Sequence, residues 1–310
     1  MFDDPEIEAL LDDTTGVTKF VADMMGPLPS FHQQTVEEAR GGIPGLPEPE
    51  VLDNGITRSI PGPAGDIALR VFVPENPVGL YFHLHGGGWV IGSALAADVK
   101  LNAVANGANV VVVSVDYRLA PEHPYPAPND DCEAAALWVL KNAESEWGVS
   151  GDMVIGGESA GGHLAAATAL RLRDNHDAID RVKGLNLVYG VFDLSMTPSQ
   201  VLGTDLLLVP TETMRWFYSH YLQADEDRQD AAVSPLYADL AGMPPALFSV
   251  GTADPLVDDT LFMSRRWELA GNECAVNVYP EAIHGFTVLP GAAGQLANRR
   301  GTEFIASCFA

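Results

Sequence analysis

Residues 157–161 read Gly157-Glu158-Ser159-Ala160-Gly161, between an apolar β-branched run at 153–157 and a helical pattern that continues to residue 173. A serine flanked by glycines at this spacing, entered from a strand and left through a helix, is the sharp strand-turn-helix that exposes a nucleophilic hydroxyl above a sheet. The bare pattern arises readily by chance, so its context carries the information. Small neighbours let the backbone double back, and the positive end of the following helix favours negative charge developing beside the serine.

Upstream, His85-Gly86-Gly87-Gly88 directly follows a second apolar run at 78–84. Three consecutive glycines can turn their N–H groups toward a bound oxyanion. The expected donors are the amides of Gly87, Gly88 and Ala160, with His85 and Gly86 supporting the loop. Downstream, the α/β-hydrolase arrangement places an acid and then a histidine after the serine. Of eight histidines, only His284 lies beyond the last apolar run, in Glu281-Ala282-Ile283-His284-Gly285-Phe286. The acid is expected just past the run at 246–251, where Asp254 stands. Asp258 and Asp259 compete for that role, but they fall in the first turn of the next helix and read as charges stabilising its N-terminus. Glu158 adjoins the nucleophile, yet an elbow directs that position away from the hydroxyl, so its expected role is local hydrogen bonding.

Around these landmarks, strand patterns at 67–73, 78–84, 109–116, 153–157, 182–189, 246–251 and 275–279 alternate with helical patterns. The helical patterns fall at 129–145, 160–173, 257–270 and about 293–308. Such alternation predicts an α/β fold with a mostly parallel, eight-stranded sheet covered by helices. Two stretches break the pattern. Residues 1–48 hold two short helical patterns closed by a glycine- and proline-rich linker at 41–49. Residues 194–234 insert a helical stretch containing Met214, Phe217, Tyr218, Tyr221 and Leu222 on one face. Together they are expected to form a helical cap over a catalytic core of 49–193 and 235–310. Trp89, Tyr189 and Phe192, just past strands, and Phe217 in the insertion are candidates for the substrate pocket; burial in the core is the competing reading for each.

Composition narrows the function classes. The chain has 310 residues, 47% of them hydrophobic and 19% charged, as in ordinary globular proteins. Its apolar runs are far shorter than the 18 or so residues of a membrane-spanning helix. The acidic N-terminus does not resemble a secretory leader, so a cytoplasmic protein without stable membrane association is expected. A net charge of −25, from 42 acidic against 17 basic residues, repels phosphate backbones and argues against nucleic-acid partners. Cys132, Cys274 and Cys308 form no CxxC pair and no zinc pattern.

With these motifs in hand, the sequence resembles the bacterial hormone-sensitive-lipase family of esterases from about residue 65 nearly to its C-terminus. Matching blocks include His85 to Gly88, Gly157 to Gly161, Asp116-Tyr117-Arg118-Leu119-Ala120-Pro121-Glu122-His123 and Pro126-Ala127-Pro128. Others are Ser234-Pro235-Leu236, Asp254-Pro255-Leu256 with Asp258, and Tyr279-Pro280 leading to His284-Gly285-Phe286. The resemblance implies a carboxylesterase acting on short- to medium-chain acyl esters without cofactor or metal. It also implies a cap built from both irregular stretches, and a segment 116–123 that braces the oxyanion loop. Members often dimerise, so a homodimer is an expectation. Glu158 departs from the family's usual aspartate or threonine. The implied chemistry is acyl transfer from a small ester to Ser159, with His284 as base and Asp254 orienting it. An amidase, an acyltransferase or a small-molecule receptor on the same fold are the rival readings.

Overall fold

The computed structural model describes residues 4–26, 28–42 and 48–310. Its eight strands are β1 (Ile56–Gly62), β2 (Gly65–Phe72), β3 (Leu80–Leu84), β4 (Val111–Asp116), β5 (Met153–Glu158), β6 (Val182–Val188), β7 (Ala246–Ala253) and β8 (Cys274–Ile283). They form one sheet in the order β1-β2-β4-β3-β5-β6-β7-β8. β1 pairs antiparallel with β2 and β2 with β4, while β4, β3, β5, β6, β7 and β8 run parallel. The helices are α1 (Pro5–Glu8), α2 (Leu11–Met25), α3 (Val36–Arg40), α4 (Asp98–Ala108), α5 (Ala127–Trp147), α6 (Ala160–His176), α7 (Pro198–Leu202), α8 (Thr211–Tyr221), α9 (Val257–Leu269) and α10 (Ala292–Ser307).

The central strands are buried along their length because helices cover both faces, which is why they read as unbroken apolar runs instead of alternating ones. All of β3 is buried, and so is β4 up to Val115. The edge strand β1 behaves differently. Only Ile60 is buried in Ile56–Gly62, and Pro61 suits a strand with a free edge. With one buried apolar side chain its sequence carries little signal, and its pattern predicts no strand there. Helix α4 also goes unmarked in the sequence, since Asn102, Asn106 and Gly107 are weak helix formers. It forms because Leu101, Val104, Ala105 and Ala108 share one face buried against the sheet, and Asn109 ends it in a left-handed conformation at φ 53°.

The N-terminal stretch forms α1, α2, a short turn at Phe31–Gln33 and α3; residues 43–47 of the expected linker lie outside the described residues. The later insertion forms α7 and α8. Met214, Phe217, Tyr218, Tyr221 and Leu222 are all buried in the main core. No described helix is long and apolar enough to cross a membrane.

Candidate active site

The motif-bearing loops leave the sheet at one edge, the carboxyl ends of parallel strands, where this class of sheet binds ligands. The glycine loop at 86–88 follows β3, Ser159 follows β5, Asp254 follows β7 and His284 follows β8. Because β3 adjoins β5 and β7 adjoins β8, the sheet order brings four sequence-distant segments together.

Ser159 sits at φ 57°, ψ −120°, a left-handed position rarely tolerated by a residue with a side chain. Neighbouring glycines make this turn possible. A Cβ on Gly157 would lie 2.3 Å from the Leu84 carbonyl oxygen, and one on Gly161 would lie 2.0 Å from it. From this turn the Ser159 Oγ lies 3.0 Å from His284 Nε2, and His284 Nδ1 lies 2.9 Å from Asp254 Oδ2. Asp254 is buried, and its other oxygen accepts the Leu256 amide at 2.8 Å. An imidazole bonded at Nδ1 to a carboxylate and at Nε2 to a hydroxyl can take the hydroxyl's proton.

Two sets of amides have no protein acceptor among the described residues. Gly87 and Gly88, at φ 116° and 58°, donate to no acceptor among the described residues. Ala160 opens α6, so its N–H has no intrahelical partner. The loop is braced from behind. His85 Nδ1 donates to the Gly86 carbonyl at 2.8 Å, its ring stacks on Tyr117 at 4.1 Å, and the Tyr117 hydroxyl donates to the His85 carbonyl. Burial pushes the His85 imidazole down to about 4, which keeps it neutral. Asp116 accepts the Ala94 amide, and Arg118 forms a two-pronged pair with Asp131.

A cavity of about 880 Å³ opens over Ser159. Tyr189 and Phe217 line it, with the Tyr189 ring 4.8 Å from that of His284. Trp89 and Phe192 do not line it, and the pocket reading for those two is corrected. The Trp89 ring is buried between α6 and α8, stacked on Tyr221 at 4.3 Å and donating through Nε1 to His163 Nδ1 at 3.2 Å. Phe192 is packed edge-on against Phe248 in the core. Asp258 and Asp259 lie in the first turn of α9, as expected, and they also reach beyond it. Asp258 accepts the Ser199 amide, while buried Asp259 accepts from the Phe192 and Asp193 amides, Thr197 Oγ1 and Gln200 Nε2. Their carboxylates thus organise the start of the insertion from the first turn of α9.

Phe31, Arg40 and Lys100, all about the site, were not signalled by the sequence. Phe31, from the N-terminal stretch, lines the cavity and packs on Phe217 with ring centroids 5.7 Å apart. Arg40 donates to the carbonyls of Val90 and Ala120 and pairs with Glu122, tying α3 to the segment after the oxyanion loop. Glu158 lines the cavity wall and accepts from Lys100 and from His83 Nε2. Burial works to raise its carboxyl, but Lys100 and His83 outweigh that and hold it well below the usual carboxylate range. A largely desolvated acid needs such a counter-charge. Among the described residues no group of three or more His, Cys, Asp or Glu side chains could hold a metal ion.

Residues 81–288 match the model of a family described as having the alpha/beta hydrolase fold. The carboxylesterase NlhH of Mycobacterium tuberculosis is 36% identical over 248 residues, covering 74% of this chain and 75% of that protein. The carboxylic ester hydrolase LipN of the same organism is 34% identical over 253 residues, 78% of this chain and 66% of that protein's length. Among solved structures, the hyperthermophilic esterase of Pyrobaculum calidifontis superposes with a TM-score of 0.83 at 31% identity, over 94% of this chain and 97% of that one.

Proposed function

The chain belongs to the α/β-hydrolase fold family and is a carboxylic ester hydrolase, and on that premise we propose that it works through Ser159, His284 and Asp254 by way of an acyl-enzyme. The observation that carries this reading is the unbroken hydrogen-bonded chain from Ser159 Oγ through both nitrogens of His284 to buried Asp254. The Ser159 oxygen adds to the ester carbonyl carbon as its proton passes to His284 Nε2. The carbonyl oxygen becomes an oxyanion held by the amides of Gly87, Gly88 and Ala160, each donor of this kind being worth about 2.7–4 kcal/mol. Collapse expels the alcohol, which takes the proton from His284. Water then adds to the acyl carbon as its proton passes to the same nitrogen, and the bond from Ser159 Oγ to that carbon breaks with the proton returning to Oγ, which releases the carboxylic acid and restores Ser159. Asp254 holds the tautomer of His284 that keeps Nε2 free to accept, and it stabilises the imidazolium without taking the proton.

We read residues 1–48 and 194–234 as a cap that closes the acyl and alcohol pockets. Support comes from the contact of Phe31 with Phe217 on the cavity wall, one ring from each segment. Short- to medium-chain acyl esters are the proposed substrates. The test is hydrolysis of p-nitrophenyl esters from acetate to palmitate by the wild type and Ser159→Ala, with a chelator present. Activity should peak at short to medium chains and vanish in the variant. Hydrolysis persisting in Ser159→Ala would remove the nucleophile assignment, and a maximum at palmitate would remove the chain-length one.

A further inference from the structure

The cavity over Ser159 has two walls of different chemistry. One is aromatic, formed by Phe31 and Phe217. The other runs between α4 and α10 and is lined on the α4 side by Ala96, Ala97, Ala103 and Val104. Within that small-residue, apolar wall stands the ammonium group of Lys100. It has three N–H donors, and Glu158 is its one protein acceptor among the described residues. The Lys100 side chain keeps 22% of its exposure. Glu158 itself is occupied, one oxygen by Lys100 and the other by His83 Nε2 at 3.0 Å. Arg299, on α10 and also lining the cavity, is paired with Glu6 and Glu303. Lys100 is therefore a fixed donor with spare capacity, facing the space into which part of an ester must fit.

We propose that the cavity arm between α4 and α10 is a subsite for the half of the ester that carries an uncharged hydrogen-bond acceptor, a ketone, ether or hydroxyl oxygen, received by Lys100. The inference rests on the reading of Ser159 as the nucleophile. An alkyl chain entering this arm strips water from the free Lys100 donors and returns nothing, whereas a chain with an oxygen at that depth replaces the lost bond. Sites built to hydrogen-bond a substrate discriminate in this way against analogues that lack the group. An uncharged acceptor is favoured over a carboxylate for two reasons. Lys100 and Glu158 already cancel, so the arm offers no net positive charge, and the protein as a whole carries −25.

The test compares isosteric esters differing only in a carbonyl against a branched methyl. With the acceptor in the acid half, the pair is p-nitrophenyl 5-oxohexanoate and p-nitrophenyl 5-methylhexanoate. With it in the alcohol half, the pair is 4-oxopentyl acetate and 4-methylpentyl acetate. The quantity read is the ratio of kcat/KM within each pair, which cancels any general effect on the reacting groups. In the wild type, one pair should favour the oxo ester by about tenfold, and Lys100→Met should bring that ratio to about one. A ratio near or below one for both pairs in the wild type overturns the proposal, whatever the variants do. So does a preference that survives in Lys100→Met, or in Lys100→Ala should the methionine variant not fold. If the p-nitrophenyl half-ester of glutaric acid outruns the 5-oxohexanoate, the uncharged-acceptor assignment fails. Hydrolysis that persists in Ser159→Ala marks failure of the underlying reading, distinct from all of these.

Discussion

At the scale of single residues, the proposed site depends on groups packed about the glycine loop at 86–88. A Cβ on Gly88 would lie 2.1 Å from the Phe217 ring at a backbone φ of 58°, so the loop and α8 can approach this closely only at glycine. Gly88→Ala should lower kcat by about 10²–10³-fold through displaced oxyanion donors, with steady-state kinetics as the check; an unchanged kcat would exclude this loop from the reaction. His163 bonds Trp89, the residue that follows this loop. Its Nε2 donates to the Val233 carbonyl at 2.9 Å and its Nδ1 accepts from Trp89, so only the neutral ring satisfies both bonds. Burial pushes its imidazole down to about 4 from an ordinary 6.5. The folded state therefore resists a proton that the unfolded chain accepts. Stability is fully present above pH 6.5 and is lost as pH falls toward 4, by up to about 3 kcal/mol from this ring. Denaturant unfolding of the wild type and His163→Gln across that window should show a flatter curve for the variant. Parallel curves would contradict the assignment.

At the scale of elements, one carboxylate joins the insertion to the helix that follows the proposed acid. Asp259 lies in the first turn of α9, yet its two oxygens gather four donors from the segment 192–200. Burial pushes its carboxyl up to about 7, with those donors pulling the other way. Asp259→Ala leaves the Phe192 and Asp193 amides and two side-chain donors without an acceptor. The expected cost is about 3 kcal/mol or more of stability, together with earlier proteolytic cleavage between residues 194 and 210. Chemical denaturation and limited proteolysis measure both. The N-terminal stretch is tied down in a similar way, through Arg40 to the Val90 and Ala120 carbonyls and through Arg300 to Asp4 and Glu6.

For the whole molecule, charge is the dominant unbalanced quantity. Formal charge is −25, and although ion pairs such as Arg70 with Asp98 are buried, most of the acidic excess has no basic partner to meet. Self-repulsion of this size opposes the compact state, and added salt screens it over about 10 Å at 0.1 M. The melting temperature should therefore rise between low-salt buffer and 1 M potassium chloride. A falling value would mean that the surface pairs outweigh the repulsion.

The amino-acid sequence by itself determined the alternating architecture, the sharp turn at Ser159 and the glycine loop at Gly86 to Gly88, and it singled out Asp254 and His284 as the proposed partners of Ser159. Each of these is written locally, in hydrophobic periodicity, in glycines where a turn requires them, or in chain order relative to strands. Tertiary structure alone decided which aromatic side chains face the cavity. Trp89 and Tyr189 each follow a parallel strand, and what separates them is that α8 brings Tyr221 to cover the Trp89 ring while the Tyr189 ring is left beside His284. The partners of Asp259, Arg40 and Lys100 were likewise invisible, since they come from segments dozens of residues away. Strand β1 escaped notice for the converse reason: its pairing with β2 is made by backbone groups that every sequence possesses, and a single buried Ile60 leaves no period to read.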